Sequence, residues 1–303
     1  MVEKITVFVN RHSGNNPIAQ GCISSFCNGL NRLGVKFSVA YEDEYDKNPC
    51  DIAVIFGAYK KILKTYGIRK KIYYNQKIAG KRVLVLERGF IKRDTYHSVG
   101  WNFINGRADF KNKHMPNDRV GALGVELSDW KDDGENIVFC GQVPWDVSVQ
   151  HINSEPMKRV PQKILVGGYL KWCTDTVKKI QKVSNRKIIF RPHPLFPYKD
   201  WHMDGMPKNV AFSNAPFEDD LDNAWCTVVF NSNCSVESVI NGVPTFAFDE
   251  GCMAWDVANK GISNIDSPKM PDRVQWLNDI SYSQWNLNEF SEGMPWAHIT
   301  RKI

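Results

Sequence analysis

The chain has 303 residues, 43% of them hydrophobic and 24% charged, with a formal net charge of +6. That composition excludes a disordered or low-complexity chain and gives room for two domains of ordinary size. No run of eighteen apolar residues occurs, which excludes a helical membrane span.

The chain opens with "KITVFVN" (4–10), a strand that runs into "RHSGNN" rather than a cleavage site, so a cytoplasmic protein is expected. A helix follows over "PIAQGCISSFCNGLNRLG", with Pro17 in its first turn and Gly34 past its end. "VKFSVAYE", "DIAVIFGAY", "KIYYN" and "RVLVLERG" read as four further strands. The charged, irregular stretch 111–135 marks the domain joint. Beyond it, "NIVFCGQVPW" opens a second half that continues through "QKILVGGY", the helix "DTVKKIQKVS", and the strands "RKIIF" and "NVAFS". "CTVVFNSN" then leads into a helix around "SVESVIN", and "VPTFAF" supplies a last strand. Alternating strands and helices predict an α/β chain with two Rossmann-like domains facing across a cleft. The expected boundaries are 1–130, 131–270, and a Trp-bearing tail, 271–303, folding back across the joint. The eight cysteines contain no C-x-x-C pair and read as buried free thiols.

In open α/β sheets, ligands sit beyond the carboxyl ends of the strands. Polar clusters fall at four such ends: "NRHSGNN", "ERGFIKRD", "RPHP" and "NSNCSVES". In "KIIFRPHPLF", two prolines hold Arg191 and His193 out of helical geometry, as a grip on an anion would need. The alternatives are a salt bridge for Arg191 and a structural role for His193. Ser232, Asn233 and Ser235 begin a helix, where hydroxyls and open amides suit a phosphate, although the same residues are ordinary helix caps. Glu237, in the first turn, is placed to accept from a sugar hydroxyl. Gly14 would let backbone approach phosphates from the first domain. Glu87 ends a strand and is the candidate general base, with Asp94 in reserve; salt bridges to Arg88 or Arg93 are the alternative. No Asp-x-Asp motif stands at a strand end, so no essential divalent metal and no cofactor are expected. Residues 59–82 carry Lys60, Lys61, Lys64, Arg69, Lys70, Lys71, Lys77, Lys81 and Arg82 with no acid among them, interleaved with Tyr59, Tyr66, Tyr73 and Tyr74. Such a run is either a solvated basic face or a surface for a polyanion.

"FRPHP" followed by "NSNCSVESVINGVPTFAFDEG" resembles the second-domain signature of GT-B glycosyltransferases related to capsule-polysaccharide transferases and teichoic-acid glycerophosphotransferases. In those families an R/K-x-H-P element and an S-x-x-x-E-A-x-x-x-G-x-P-V element bracket the donor's nucleotide diphosphate; here Ser238 replaces Ala and Thr245 replaces Val. The first half, "RVLVLERGFIKRDTYHSVGWN" above all, looks like the acceptor half of phage DNA glucosyltransferases, with Glu87 at the carboxylate's place. The resemblance implies a glycosyltransferase that takes a nucleotide sugar such as UDP-glucose as co-substrate. Lys60, Lys61, Arg69, Lys70, Lys71 and Arg93 would then meet the acceptor, double-stranded DNA with hydroxymethylated pyrimidines, in the host cytoplasm if the gene is phage-borne. An anionic capsule polysaccharide is the alternative acceptor. A nucleotide-sugar 2-epimerase and a non-catalytic nucleic-acid-binding protein are the rival functions.

Overall fold

The computed structural model describes residues 3–11, 16–58, 66–144, 146–152, 168–196, 206–207 and 209–301, with backbone alone at 66 and 150–152. They form two compact units, one of residues 1–123 with 277–303 and one of residues 124–276. The boundaries expected at 130 and 270 lie several residues from these divisions, and the C-terminal segment counts with the first unit.

The first unit begins with β1 (Ile5–Val9), α1 (Pro17–Arg32), β2 (Phe37–Tyr41) and β3 (Ile52–Phe56). Helix α1 starts where the Asn16 side chain accepts from the Ala19 amide at 3.2 Å and Pro17 supplies a preset φ. Its Ala19, Cys22, Ile23, Phe26 and Leu30 recur at helical spacing and face the core. Next come α2 (Tyr66–Ile78), β4 (Arg82–Arg88), β5 (Tyr96–Trp101) and α3 (Asp118–Leu123). "KIYYN", expected as a strand, lies inside α2. Its β-rich composition is overridden by periodicity, because Arg69, Ile72 and Gln76 all face inward at spacings of three and four. Gln76 ties the helix to the sheet, accepting from the Cys50 amide at 3.0 Å and donating to the Cys50 and Arg82 carbonyls at 2.9 and 3.1 Å.

The C-terminal segment completes this unit with β12 (Gln284–Asn286), α8 (Leu287–Ser291) and α9 (Met294–Thr300). The sheet order is β12-β5-β4-β3-β1-β2, with β1 to β4 parallel and β5 and β12 antiparallel to their neighbours. Helix α8 crosses α1 so closely that a Cβ on Gly29 would lie 2.1 Å from the Phe290 carbonyl oxygen. Trp285, Phe290, Trp296 and Ile299 enter the same core as α1 and the central strands.

The second unit contains β6 (Asn136–Cys140), α4 (Tyr169–Val183), β7 (Lys187–Arg191), β8 (Ala211–Phe212) and α5 (Phe217–Asp222). It continues with β9 (Ala224–Val229), α6 (Cys234–Ile240), β10 (Thr245–Ala247) and β11 (Asn259–Lys260). The chain then leaves the unit within α7 (Val274–Ser281). All six strands are parallel, in the order β8-β7-β6-β9-β10-β11. Numbered within the unit, that is the Rossmann order 3-2-1-4-5-6. Its core joins Ile137, Phe139, Tyr169, Val177, Phe190, Val228 and Phe246. Among the described residues no helix is long and apolar enough to cross a membrane.

Candidate functional site

In the second unit the strand order reverses between β6 and β9, so the crevice for a ligand lies beyond Cys140 and Val229. A buried polar network sits there. Gln142 donates from Nε2 to Asn231 Oδ1 at 2.8 Å and accepts from the Asn231 amide at 3.0 Å. Asn231 Nδ2 donates to Asp249 Oδ1 at 2.7 Å and to the Ser148 carbonyl at 2.9 Å, and Asp249 Oδ1 also accepts from the Gly251 amide at 3.0 Å. The Tyr169 hydroxyl accepts from the Gln142 amide at 2.8 Å. The network ties together the exits of β6, β9 and β10, and a fully connected buried network fixes its members' positions.

The sequence-predicted donor residues lie around this frame. Arg191 ends β7 with its backbone opposite Cys140, and its Nη1 donates to Asp220 Oδ2 at 2.7 Å and to the Ala215 carbonyl. Asp220 in turn accepts from the Ser213 hydroxyl at 2.7 Å. The salt-bridge alternative for Arg191 is therefore realised. His193 Nδ1 accepts from the Leu195 amide at 3.1 Å, which leaves the proton of the neutral ring on Nε2, a donor. Asn233 Nδ2 donates to Glu237 Oε1 at 3.2 Å, and both are half-buried.

The serines differ from expectation. Ser235 is fully buried, its hydroxyl donating to the Ser232 carbonyl at 2.7 Å and accepting from Cys252 Sγ at 3.1 Å. Ser232 is also buried, and its hydroxyl accepts from the Cys234 amide at 3.3 Å. Both hydroxyls build the turn into α6 instead of facing an anion, because that turn leaves its own amides and carbonyls to be satisfied.

In the first unit the order β4-β3-β1-β2 puts the reversal between β1 and β3. Asn10, just past β1, donates from Nδ2 to Glu42 Oε2 at 3.3 Å, and Glu42 Oε1 accepts from Arg69 Nε at 2.7 Å. Gly57, just past β3 with a φ of +73°, makes room for the rest: a Cβ there would meet Glu87 Oε2 at 3.3 Å and Arg69 Nη1 at 3.4 Å. Glu87, the next-to-last residue of β4, is half-buried, its Oε1 accepting from the Arg88 amide at 3.0 Å. The loop after it is held by the buried Gln284 of β12, whose Oε1 accepts from the Phe90 and Ile91 amides at 2.7 and 2.9 Å. Glu87 is thus a carboxylate on a braced strand end, and it and the Arg69 guanidinium both border Gly57.

Asp94, the reserve, is 96% exposed and 3.6 Å from Arg88 Nη1, a surface ion pair. Arg69 is the clear correction among the acceptor residues: it is 7% exposed and paired with buried Glu42, so it presents no surface charge. Lys70 lies over the Tyr74 ring, Lys71 and Arg93 are exposed, and Gly14, Lys60 and Lys61 fall outside the described residues. The run 59–82 has no acid of its own, yet Lys81 meets Asp51 at 2.7 Å and Arg82 meets Glu3 at 2.5 Å. Unforeseen site residues are Gln142, Asp249, Glu42 and Asn10. Each stands one or two positions past an apolar strand run, the signal that could have found them.

No protein-family model matches the chain, and no curated protein matches it. Two solved structures of Thermosulfurimonas dismutans KpsC do. The β-Kdo 2,4-transferase aligns with 93% of this chain and 90% of its own at 13% identity and a TM-score of 0.59. The β-Kdo 2,7-transferase aligns over the same shares at 15% identity and a TM-score of 0.53. With one sheet largely parallel and the other wholly so, the chain has the α/β GT-B fold.

Proposed function

We propose that the protein is a glycosyltransferase that moves a sugar from a nucleotide donor held by the second unit to a glycan hydroxyl activated by the first. The observation that carries this is the polar clustering at the carboxyl ends of both sheets, with Glu87 half-buried at the end of β4. Transfer needs a base for the acceptor proton and cations or donors for the departing diphosphate. Glu87 fills the first role. His193 Nε2 serves the second, with Arg191 held in its salt bridge to Asp220 at the end of the same strand, and Glu237 takes a hydroxyl of the donor.

A glycan suits the first unit better than duplex DNA. DNA binding draws on uncompensated cations, whereas Arg69, Lys81 and Arg82 are matched by acids from outside their run. The KpsC structures are of Kdo transferases by their own description, which supports a sugar acid or an anionic glycan among the substrates. The test is a thermal-shift screen of nucleotide-activated sugars, Kdo included, and then mass analysis with glycan acceptors, hydroxymethylated DNA or no acceptor. Transfer to a glycan is expected. Epimerised donor without transfer, transfer to DNA, or no donor raising the midpoint would each overturn the proposal.

A further inference from the structure

Ion pairs account for only part of the basic run 59–82. Among the described residues, acids from elsewhere in the chain reach Arg69, Lys81 and Arg82 but not Lys71 or Lys77. Helix α2 divides these cations between two faces. Arg69, Ile72 and Gln76 turn inward and are buried. At about 100° per residue, Lys70, Lys71, Tyr74, Lys77 and Ile78 all fall within one outer wedge about 120° wide, and no acid stands anywhere on the helix. Lys71 and Lys77 are exposed, and the Lys70 ammonium lies 5.6 Å from the centre of the Tyr74 ring. Among these cations Tyr74 is 42% exposed and Ile78 84%, the most exposed large hydrophobic side chain among the described residues. Scattered apolar residues on a surface are ordinary. Here two stand one turn apart inside a cluster of lysines, which is the makeup of a face that lies at a lipid–water boundary.

We propose that the outer face of α2 docks on an anionic membrane surface, with Ile78 and Tyr74 as apolar anchors and the lysines held by the headgroups. The charges are complementary: an acid-free cationic face meets a surface of negative potential, and long lysine stems let the ammonium groups stay at headgroup level while the apolar pair goes deeper. Tyrosine suits that boundary because its ring is apolar and its hydroxyl is not. Duplex DNA would use the cations and leave Ile78 in water, whereas a bilayer uses both kinds of residue. Lys60, Lys61 and Lys64 stand ahead of the helix in sequence and lie outside the described residues; they raise the charge of the same run. The contact lies on the membrane and does not cross it. It stands whether or not the chain transfers a sugar.

The full chain is mixed with sucrose-loaded vesicles of phosphatidylcholine alone, or of equal parts phosphatidylcholine and phosphatidylglycerol, and the vesicles are pelleted over a range of salt. Binding to the mixed vesicles alone is expected, weakening as salt rises. The double variant Lys71→Ala, Lys77→Ala should bind about 25-fold more weakly, about fivefold for each charge. Ile78→Ser should lose about tenfold at constant charge, with its melting temperature held because the site is exposed. No pelleting with the mixed vesicles, or equal pelleting with the neutral ones, overturns the proposal on the wild-type chain, without depending on any variant folding. Full binding by Ile78→Ser, or retention on duplex DNA in place of vesicles, overturns it as well. Vesicle binding by a protein that takes no nucleotide sugar would count against the donor-site proposal alone.

Discussion

Glu87 and Arg69 are both charged, eighteen residues apart, and do opposite things because their surroundings differ. Glu87 lies half-buried at a strand end, so replacing it with Gln should leave donor affinity nearly unchanged and lower turnover by about 10²–10⁴-fold; steady-state rates beside donor titrations check this. Arg69 faces Glu42 inside the unit at 2.7 Å. Arg69→Ala strands a buried carboxylate and should cost about 3–5 kcal/mol in a denaturant melt. A loss of acceptor binding with stability intact would return Arg69 to the surface role its sequence context suggested. That context misled for a physical reason: Glu42 is 27 residues away in sequence and belongs to another strand's exit. The prolines around Arg191 and His193 are plain in the sequence, but the partner of Arg191, Asp220, lies 29 residues on and is brought to it by the fold. Thr245, at a place where the resembling families carry Val, has its hydroxyl 2.9 Å from that of Thr227, a pair invisible before the strands are aligned.

The elements legible in the sequence were those whose pattern is local. The central strands are apolar runs buried on both faces, and α1 announces itself by its Pro17 start and helical spacing. "KIYYN" failed because tyrosine and isoleucine favour strands, while the helix is fixed by the burial of Ile72 and by the bonds of Gln76 to Cys50 and to the start of β4. The strand β5, "YHSVGW", has too little alternation to declare itself and exists through pairing on both sides, with β4 and β12. Glycines that look like helix breakers record close approach instead. A Cβ at Gly29 would strike the Phe290 carbonyl, and one at Gly242, with φ of +76°, would lie 1.9 Å from the Asp129 carbonyl. Gly29→Ala improves helix propensity by about 1 kcal/mol in isolation. Here it should destabilise, by about 1–3 kcal/mol, because overpacking outweighs propensity. An equal or higher melting temperature for the variant would show that α8 can move away from α1.

Acid should act first on the unit of residues 1–123 and 277–303, where two buried histidines are kept neutral. Burial pulls His298 down to about 4, with Arg301 and Arg119 adding to it against a bond to the Phe110 carbonyl. Burial also lowers His97, helped by Arg88, and among the described residues neither of its ring nitrogens has a hydrogen-bond partner. Folded values below the ordinary 6.5 mean that the unfolded chain binds protons first. Stability is therefore full above pH 6.5 and falls as pH drops toward 4, with His298 contributing about 3 kcal/mol of the loss. Denaturant melts across that window check the slope, and His298→Gln should flatten it. The C-terminal segment carries a different consequence, one of timing. Strand β12 and helices α8 and α9 complete the sheet and core that β1 and α1 begin, while residues 124–276 hold their own sheet and core in one continuous stretch. On the ribosome, the first unit to be started is therefore the last to be finished. The nascent β5 edge, Trp101 and the α1 face stay uncovered until residues 284–300 emerge, an interval in which chaperones or misfolding can intervene. A chain stopped at residue 276 should resist protease over 124–276 and be cut throughout 1–123, and protection of both stretches would show that the early strands do not wait.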